Sequence, residues 1–154
     1  MKYMDILIQM RKINRSINLE SKRIEKELGI SIPQLLVLEI LNACPDFKAT
    51  SKYIKEKINL NASTVSGIIY RLELKALVAR LPNLQDKRVQ FITLTAKAAE
   101  MLKNTPQTLQ QKISDNLAKL SINQQSELMK NIELLVEIMD AKYIEPTELE
   151  QIKE

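Results

Sequence analysis

At 154 residues the chain is the size of one ordinary domain, long enough to bury a core. Its two glycines, Gly29 and Gly67, cannot write either glycine-rich phosphate cradle, and the absence of histidine removes the Ser-His-Asp triad, the H-E-x-x-H zinc helix and the imidazole pH switch. A net charge of +4, on a composition 45% hydrophobic and 27% charged, describes a soluble globular chain, and few glycines among many Leu, Ile, Lys, Glu and Gln favour helix.

Residues 4–28 read as a helix with apolar positions at Ile6, Met10, Ile13, Ile17, Ile24 and Leu28, a near-heptad stripe broken by Ser21 and ended by Gly29 in the C′ role. Ser31 and Gln34 form an S-x-x-Q capping box with Pro33 in the first turn. They open a mostly buried helix through Leu35, Leu36, Val37, Leu38, Ile40 and Leu41, which Pro45 and Asp46 stop. A short helix is expected at about 50–58, with Tyr53, Ile54 and Ile58 inward. After an Asn59-Leu60 turn, Asn61 caps a longer helix to about Lys75, with Val65, Ile68, Ile69 and Leu72 inward and Ser63, Ser66, Gly67 and Tyr70 outward. Two β-rich runs, Leu77–Leu81 and Val89–Leu94, flank a polar turn at 82–88 and predict a two-stranded hairpin. Thr95 caps a long helix to about Leu120 that Pro106 kinks or locally breaks. Ser121 and Gln124 form a second capping box before a final helix with Leu128, Ile132, Leu135 and Ile138 on one face. Pro146 ends regular structure and leaves a short acidic tail at 146–154.

Two short helices, a tight turn and a hairpin make a winged helix-turn-helix, in which the second helix of the pair enters the major groove. Residues 50–95 hold eight basic and three acidic residues, whereas residues 121–154 hold three basic and eight acidic. A basic middle and an acidic end are expected where only the middle faces a polyanion, and a solvated basic face gives the same count. The longest uncharged stretch, Ile58–Tyr70, is about half polar, so no membrane span is expected. The Ile6-Leu7-Ile8 run between charged neighbours is no secretory core. The single Cys44 makes no intramolecular disulfide, and the expected compartment is the cytoplasm.

Several residues now form an ordered series: Ser31-x-Pro33-Gln34 followed by Leu38; Ser63-Thr64-Val65 with Ile69-x-Arg71-Leu72-Glu73; Leu77-Val78-x-Arg80; and Asp86-Lys87-Arg88 followed by Ile92-x-Leu94-Thr95. This series, with helices before and after it in the right places so that the match covers nearly the whole chain, resembles the MarR family of bacterial transcription regulators. That resemblance implies a mainly α protein, with a winged helix-turn-helix DNA-binding lobe and two-stranded wing at residues 31–95. It also implies dimerisation helices at 1–30 and 96–145, intertwined in a homodimer that sets two lobes on a palindromic operator in double-stranded DNA. It implies repression, usually relieved by a small aromatic or phenolic effector bound between the dimerisation helices and the lobes, with no cofactor, no metal and no enzymatic activity. The stripe at Ile6, Met10, Ile13 and Ile17 and the face at Leu128, Ile132, Leu135 and Ile138 support a dimer independently, because each needs a partner. A purely intramolecular helix pair is the other way to cover them.

Arg88 is the first candidate contact with DNA, since a long guanidinium at a hairpin tip can enter the minor groove, where narrow A·T tracts concentrate negative potential. By resemblance to the family's D-x-R wing, Asp86 orients that arginine through a charge-assisted hydrogen bond, and Lys87 is expected at phosphate. The groove-entering helix is uncharged from Asn61 through Tyr70, so the commonest base contact, arginine on guanine, is missing from its first two turns. Hydroxyls of Ser63, Thr64 and Ser66 can meet phosphates or base edges, or serve only to start the helix. Gly67 permits close approach, Tyr70 can contact a sugar or a thymine methyl, and Lys52 and Arg71 are phosphate candidates, Arg71 being equally able to pair with an acidic neighbour. These features predict an A·T-rich operator read largely by shape, wing and apolar contact.

Two positions depart from the family pattern, which usually has glycine where this chain has Ala76 and Ala98. The second is harmless in a helix; the first must adopt a positive φ or end the helix differently. Cys44 offers an alternative as a thiol-based redox sensor, although it does not match the first-helix cysteine of the family's peroxide sensors and reads more readily as an inert, partly buried thiol. A winged-helix adaptor that binds protein without DNA is a further alternative, for which the basic wing would be unnecessary.

Overall fold

A computed structural model of the protein describes residues 3–144. The acidic tail expected at 146–154 lies outside the described residues. In chain order the elements are α1 (Tyr3–Leu28), α2 (Ile32–Ala43), a 3-10 turn (Pro45–Phe47), β1 (Lys48–Thr50), α3 (Ser51–Ile58), α4 (Ala62–Leu74), β2 (Val78–Pro82), β3 (Gln90–Leu94), α5 (Ala96–Lys103), α6 (Leu109–Leu117) and α7 (Ile122–Ile138). The described residues up to Thr105 form one compact unit and those from Pro106 a second.

The helices start where side chains satisfy their first amides. Ser31 and Gln34 form the expected reciprocal box, with Ser31 N–H donating to Gln34 Oε1 at 3.0 Å and Gln34 N–H to Ser31 Oγ at 3.4 Å. Gln34 is buried, and this bond is what makes its burial tolerable. Asn61 caps α4 and Thr95 caps α5 as predicted, and Ser121 with Gln124 opens α7.

The core of the first unit comes from every element around α4. Leu35, Leu38 and Leu41 of α2 and Ile54 of α3 meet Val65, Ile68, Ile69 and Leu72 of α4, Ile92 of β3 and Ala98 of α5, and Ile24 of α1 joins them. All are fully buried or nearly so. The α4 set recurs at three- and four-residue steps, a single apolar stripe that fixes which face of α4 points outward.

The two-stranded hairpin forms as expected, and a third strand the sequence did not announce joins it in the order β1-β3-β2, where Lys48–Thr50 pairs antiparallel with Thr93–Phe91. Two expectations are corrected. Tyr53 is exposed, with Lys57 Nζ 5.5 Å from its ring centroid: it shares a row of α3 with Lys57, four residues on, whereas Ile54 aligns with Ile58 and takes the inward position. The long helix expected from Thr95 to about Leu120 is two helices, α5 and α6. Pro106 lacks the amide to continue the ladder, Thr105 Oγ1 donates back to Met101 O at 2.8 Å, and a Thr108–Gln111 capping box begins α6 afresh.

The helix α4 ends on a left-handed residue. Ala76 has φ 56°, Leu77 N–H donates to Leu72 O at 3.0 Å and Ala76 N–H to Glu73 O at 2.9 Å, the paired bonds of a Schellman motif with alanine where glycine is usual. A Cβ in this region is strained against its own carbonyl. Ala76→Gly is therefore expected to stabilise the fold by about 0.5–1 kcal/mol, net of the added freedom of the unfolded chain, which is a rise of roughly 2–4 °C in Tm at this size. Thermal unfolding of the variant checks this, and an unchanged or lower Tm would contradict it.

Candidate nucleic-acid interface

With its apolar stripe turned inward, α4 presents Ser63, Ser66, Tyr70 and Arg71 to solvent, and Thr64 and Gly67 at the margin. The face is long and carries no charge before Arg71. Its first hydroxyl is already engaged: Ser63 Oγ donates to Asn61 Oδ1 at 2.8 Å, and the same oxygen accepts from Thr64 N–H at 2.8 Å. While that bond holds, Ser63 can accept but not donate, which suits a base-edge donor better than a phosphate. Gly67 has open space where a Cβ would stand, except for Arg71 Nη1 at 3.5 Å. The fold itself therefore does not need glycine there, and a missing side chain matters only to something approaching from outside.

The wing is the β2–β3 hairpin, paired from Val78↔Leu94 to Pro82↔Gln90. At its tip Asp86 and Arg88 form a clip. Asp86 Oδ1 accepts from Arg88 N–H at 3.0 Å and from Arg88 Nε at 3.2 Å, and Arg88 Nη2 reaches Oδ2 at 3.4 Å. The guanidinium hydrogen bond, followed by the backbone one, holds the Asp86 carboxyl below the usual carboxylate range, so the clip persists at any near-neutral pH. Two guanidinium N–H groups are thus engaged by Asp86, while the Arg88 side chain remains 89% exposed, so the clip orients the guanidinium and leaves its other donors turned to solvent. Lys87 beside it is exposed as well.

Two further contacts, absent from the sequence reading, set the wing against α4. Glu73 in the last turn of α4 pairs with Arg80 of β2 at 3.1 Å. Thr95 Oγ1 donates to the carbonyls of Ala76 at 2.9 Å and Leu77 at 3.1 Å while its oxygen caps α5, joining the two ends of the wing. Opposite charges seven residues apart and a threonine after the second strand were the available signals. Thus the candidate residues fall in three places: Ser63 to Arg71 on the outer face of α4, Asp86 to Arg88 at the wing tip, and Lys52 alone on α3. Cys44 is a half-buried free thiol at the end of α2. No cluster able to hold a metal occurs among the described residues, and none of their helices is long and apolar enough to cross a membrane.

Comparison with known proteins gives the same outline. Residues 30–89, from the α2 cap to the end of the wing turn, match the model of the MarR family. The uncharacterized HTH-type transcriptional regulator YfiV of Bacillus subtilis (strain 168) is 27% identical over 109 residues, which span 71% of this chain and 67% of that protein. A MarR family transcriptional regulator from Streptomyces coelicolor, solved in complex with DNA, superposes with a TM-score of 0.66 at 20% identity, covering 92% of this chain and 91% of the other. The S. aureus MepR–DNA complex gives 0.64 at 20% identity, covering 90% and 99%. These two structural likenesses show a common fold.

Because Gly67 lies in a helix with room for a methyl group, Gly67→Ala is expected to raise stability by up to about 1 kcal/mol through helix propensity alone. Chemical denaturation checks this. A destabilised variant would mean that the fold, and not an outside partner, requires the glycine.

Proposed function

From a chain that carries a MarR family domain at residues 30–89, we propose a sequence-specific DNA-binding transcription regulator that acts as a homodimer. The observation that carries this reading is the wing: a hairpin tip on which Asp86 clips the Arg88 guanidinium through Nε and Nη2 and leaves the side chain 89% exposed, beside Lys87. An arginine held in this way loses little further freedom on entering a narrow minor groove, where the potential is most negative. The outer face of α4 is the element that enters the major groove, through Ser66, Tyr70 and Arg71, with Gly67 allowing the backbone to come close and Ser63 and Thr64 at its start. Lys52 and Lys87 meet phosphates. With no arginine in the first turns of α4, the operator is A·T-rich and read chiefly by shape.

The dimer reading is supported by large side chains that the fold leaves uncovered. On α1, Ile6 is 46% and Ile13 59% exposed, with Met10 and Ile17 partly so; on α7, Leu128, Ile132 and Ile138 are 37%, 48% and 70% exposed, with Leu135 partly so. Apolar stripes of this length on two helices are ordinary in a subunit and unusual in a monomer. A two-fold dimer calls for a palindromic operator. The regulator is a repressor released by a small aromatic or phenolic ligand.

The test is retention of the DNA upstream of the protein's own gene, measured at two salt concentrations. Steep weakening with salt, together with preference for one sequence, is expected; no retention at low salt would favour a protein-binding adaptor. Arg88→Ala is expected to weaken binding to every sequence and to lower the slope of log K against log salt by about 0.9, the share of one phosphate-equivalent charge. Unchanged affinity and slope would remove Arg88 from the interface. Replacing Ile13 and Ile132 with aspartate is expected to give monomers by sedimentation and to abolish binding to a two-half-site operator; a persistent dimer would move the interface elsewhere.

A further inference from the structure

We propose that Leu84 is a second minor-groove residue of the wing, packing its side chain against the deoxyribose walls of the groove that Arg88 enters. The proposal rests on the DNA-binding reading above.

Leu84 is 93% exposed, more than any other large hydrophobic side chain among the described residues except Tyr143 at 94%. It adds nothing to the core, and it stands in a turn where Asn83, Gln85, Asp86, Lys87 and Arg88 are all polar. Its placement is defined. The last rung of the hairpin is Pro82↔Gln90, and Leu84 and Arg88 each lie two residues beyond it on opposite limbs. Side-chain oxygens hold both limbs. Asn83 Oδ1 accepts the amides of Gln85 at 2.9 Å and Asp86 at 3.3 Å, closing a hydrogen-bonded loop around Leu84. Asp86 does the same for Arg88, and Val89 N–H returns to Asp86 O at 3.0 Å. Among the outward side chains of the tip, Arg88 is cationic and Leu84 is the apolar one, and both stand on a braced backbone.

That pair matches the chemistry of a narrow minor groove. Its floor and phosphates are negative and draw the guanidinium, while its walls are the C–H surfaces of deoxyribose, which form no hydrogen bonds. Minor-groove proteins commonly set apolar side chains beside their arginines and lysines. A leucine at this position leaves water only when DNA is bound, so its contribution belongs to the complex and not to the fold.

The experiment uses the full-length chain and a duplex selected by the wild-type protein from a random pool. Leu84→Ala is expected to weaken binding about ten-fold, from the lost apolar burial, with the salt slope unchanged because no charge is removed. Leu84→Met is expected to bind as wild type. The thermal midpoints of both should equal that of wild type, since the side chain is exposed. Wild-type affinity in Leu84→Ala, or a changed salt slope, would overturn the proposal while leaving the regulator reading in place. Failure of the wild-type chain to select or retain any duplex would overturn both, and it shows in the lanes without any variant.

Discussion

The left-handed turn at Ala76 decides where the wing goes. A helix that ends on a Schellman pair reverses the chain within two residues, so the backbone bonds of the turn, with Leu77 and Val78 buried in the core, set the direction in which β2 leaves. Thr95 then ties the return of the hairpin to its departure, donating to the carbonyls of Ala76 and Leu77 while accepting the Ala98 amide in the first turn of α5. Lys97 Nζ adds a bond to Lys75 O at 2.9 Å. The base of the wing is thus a small polar knot between the end of one helix and the start of another. Glu73 and Arg80 extend it outward by one ion pair; partly exposed as it is, that pair fixes direction more than it adds stability.

The same logic recurs at the other end of the hairpin, where oxygen atoms of Asn83 and Asp86 replace strand pairing once the ladder stops at Pro82↔Gln90. A seven-residue turn without these bonds would sample many shapes, and a partner binding one of them would bear the cost of ordering it. Here the two side-chain acceptors have already narrowed the set. The carboxylate of Asp86 does so at an electrostatic cost to any polyanion nearby, which the exposed Lys87 and Arg88 outweigh by one charge.

Most of this was legible in the sequence where a signal is local. The Ser31–Gln34 and Ser121–Gln124 boxes and the caps at Asn61 and Thr95 depend on residues within one turn, and each is found as read. Thr108–Gln111 is the same signature, and giving it weight beside Pro106 would have split the long helix into two. β1 was not legible, because three residues carry no periodicity; Lys48-Ala49-Thr50 is a strand only because β3 offers it a ladder, reached through positive φ at Asp46 and Phe47 that no glycine announces. Tyr53 falls outside the inward row because it aligns with Lys57, four residues on, while Ile54 aligns with Ile58. Ala76 was recognised as a decision between two backbones, and only the three-dimensional bonds of Leu77 and Thr95 could make it. Leu84 was passed over because one apolar residue in a polar turn carries no pattern.

These points meet in the division of labour that the proposed function assigns to the lobe. A recognition helix with arginine in its first turns discriminates bases by bidentate hydrogen bonds and tolerates some play in its wing. On α4 the first turns hold hydroxyls, a glycine and a tyrosine, and the one arginine, Arg71, comes at the end of that face, next to Gly67. Under that reading, base-edge contacts supply little of the discrimination, and it must come from whether the groove is narrow where the wing tip arrives. The position of the tip relative to α4 is then itself a specificity determinant. It is set by Ala76, Glu73, Arg80 and Thr95, none of which would touch DNA. Changes at these four residues should therefore alter which operators are bound more than whether the lobe folds.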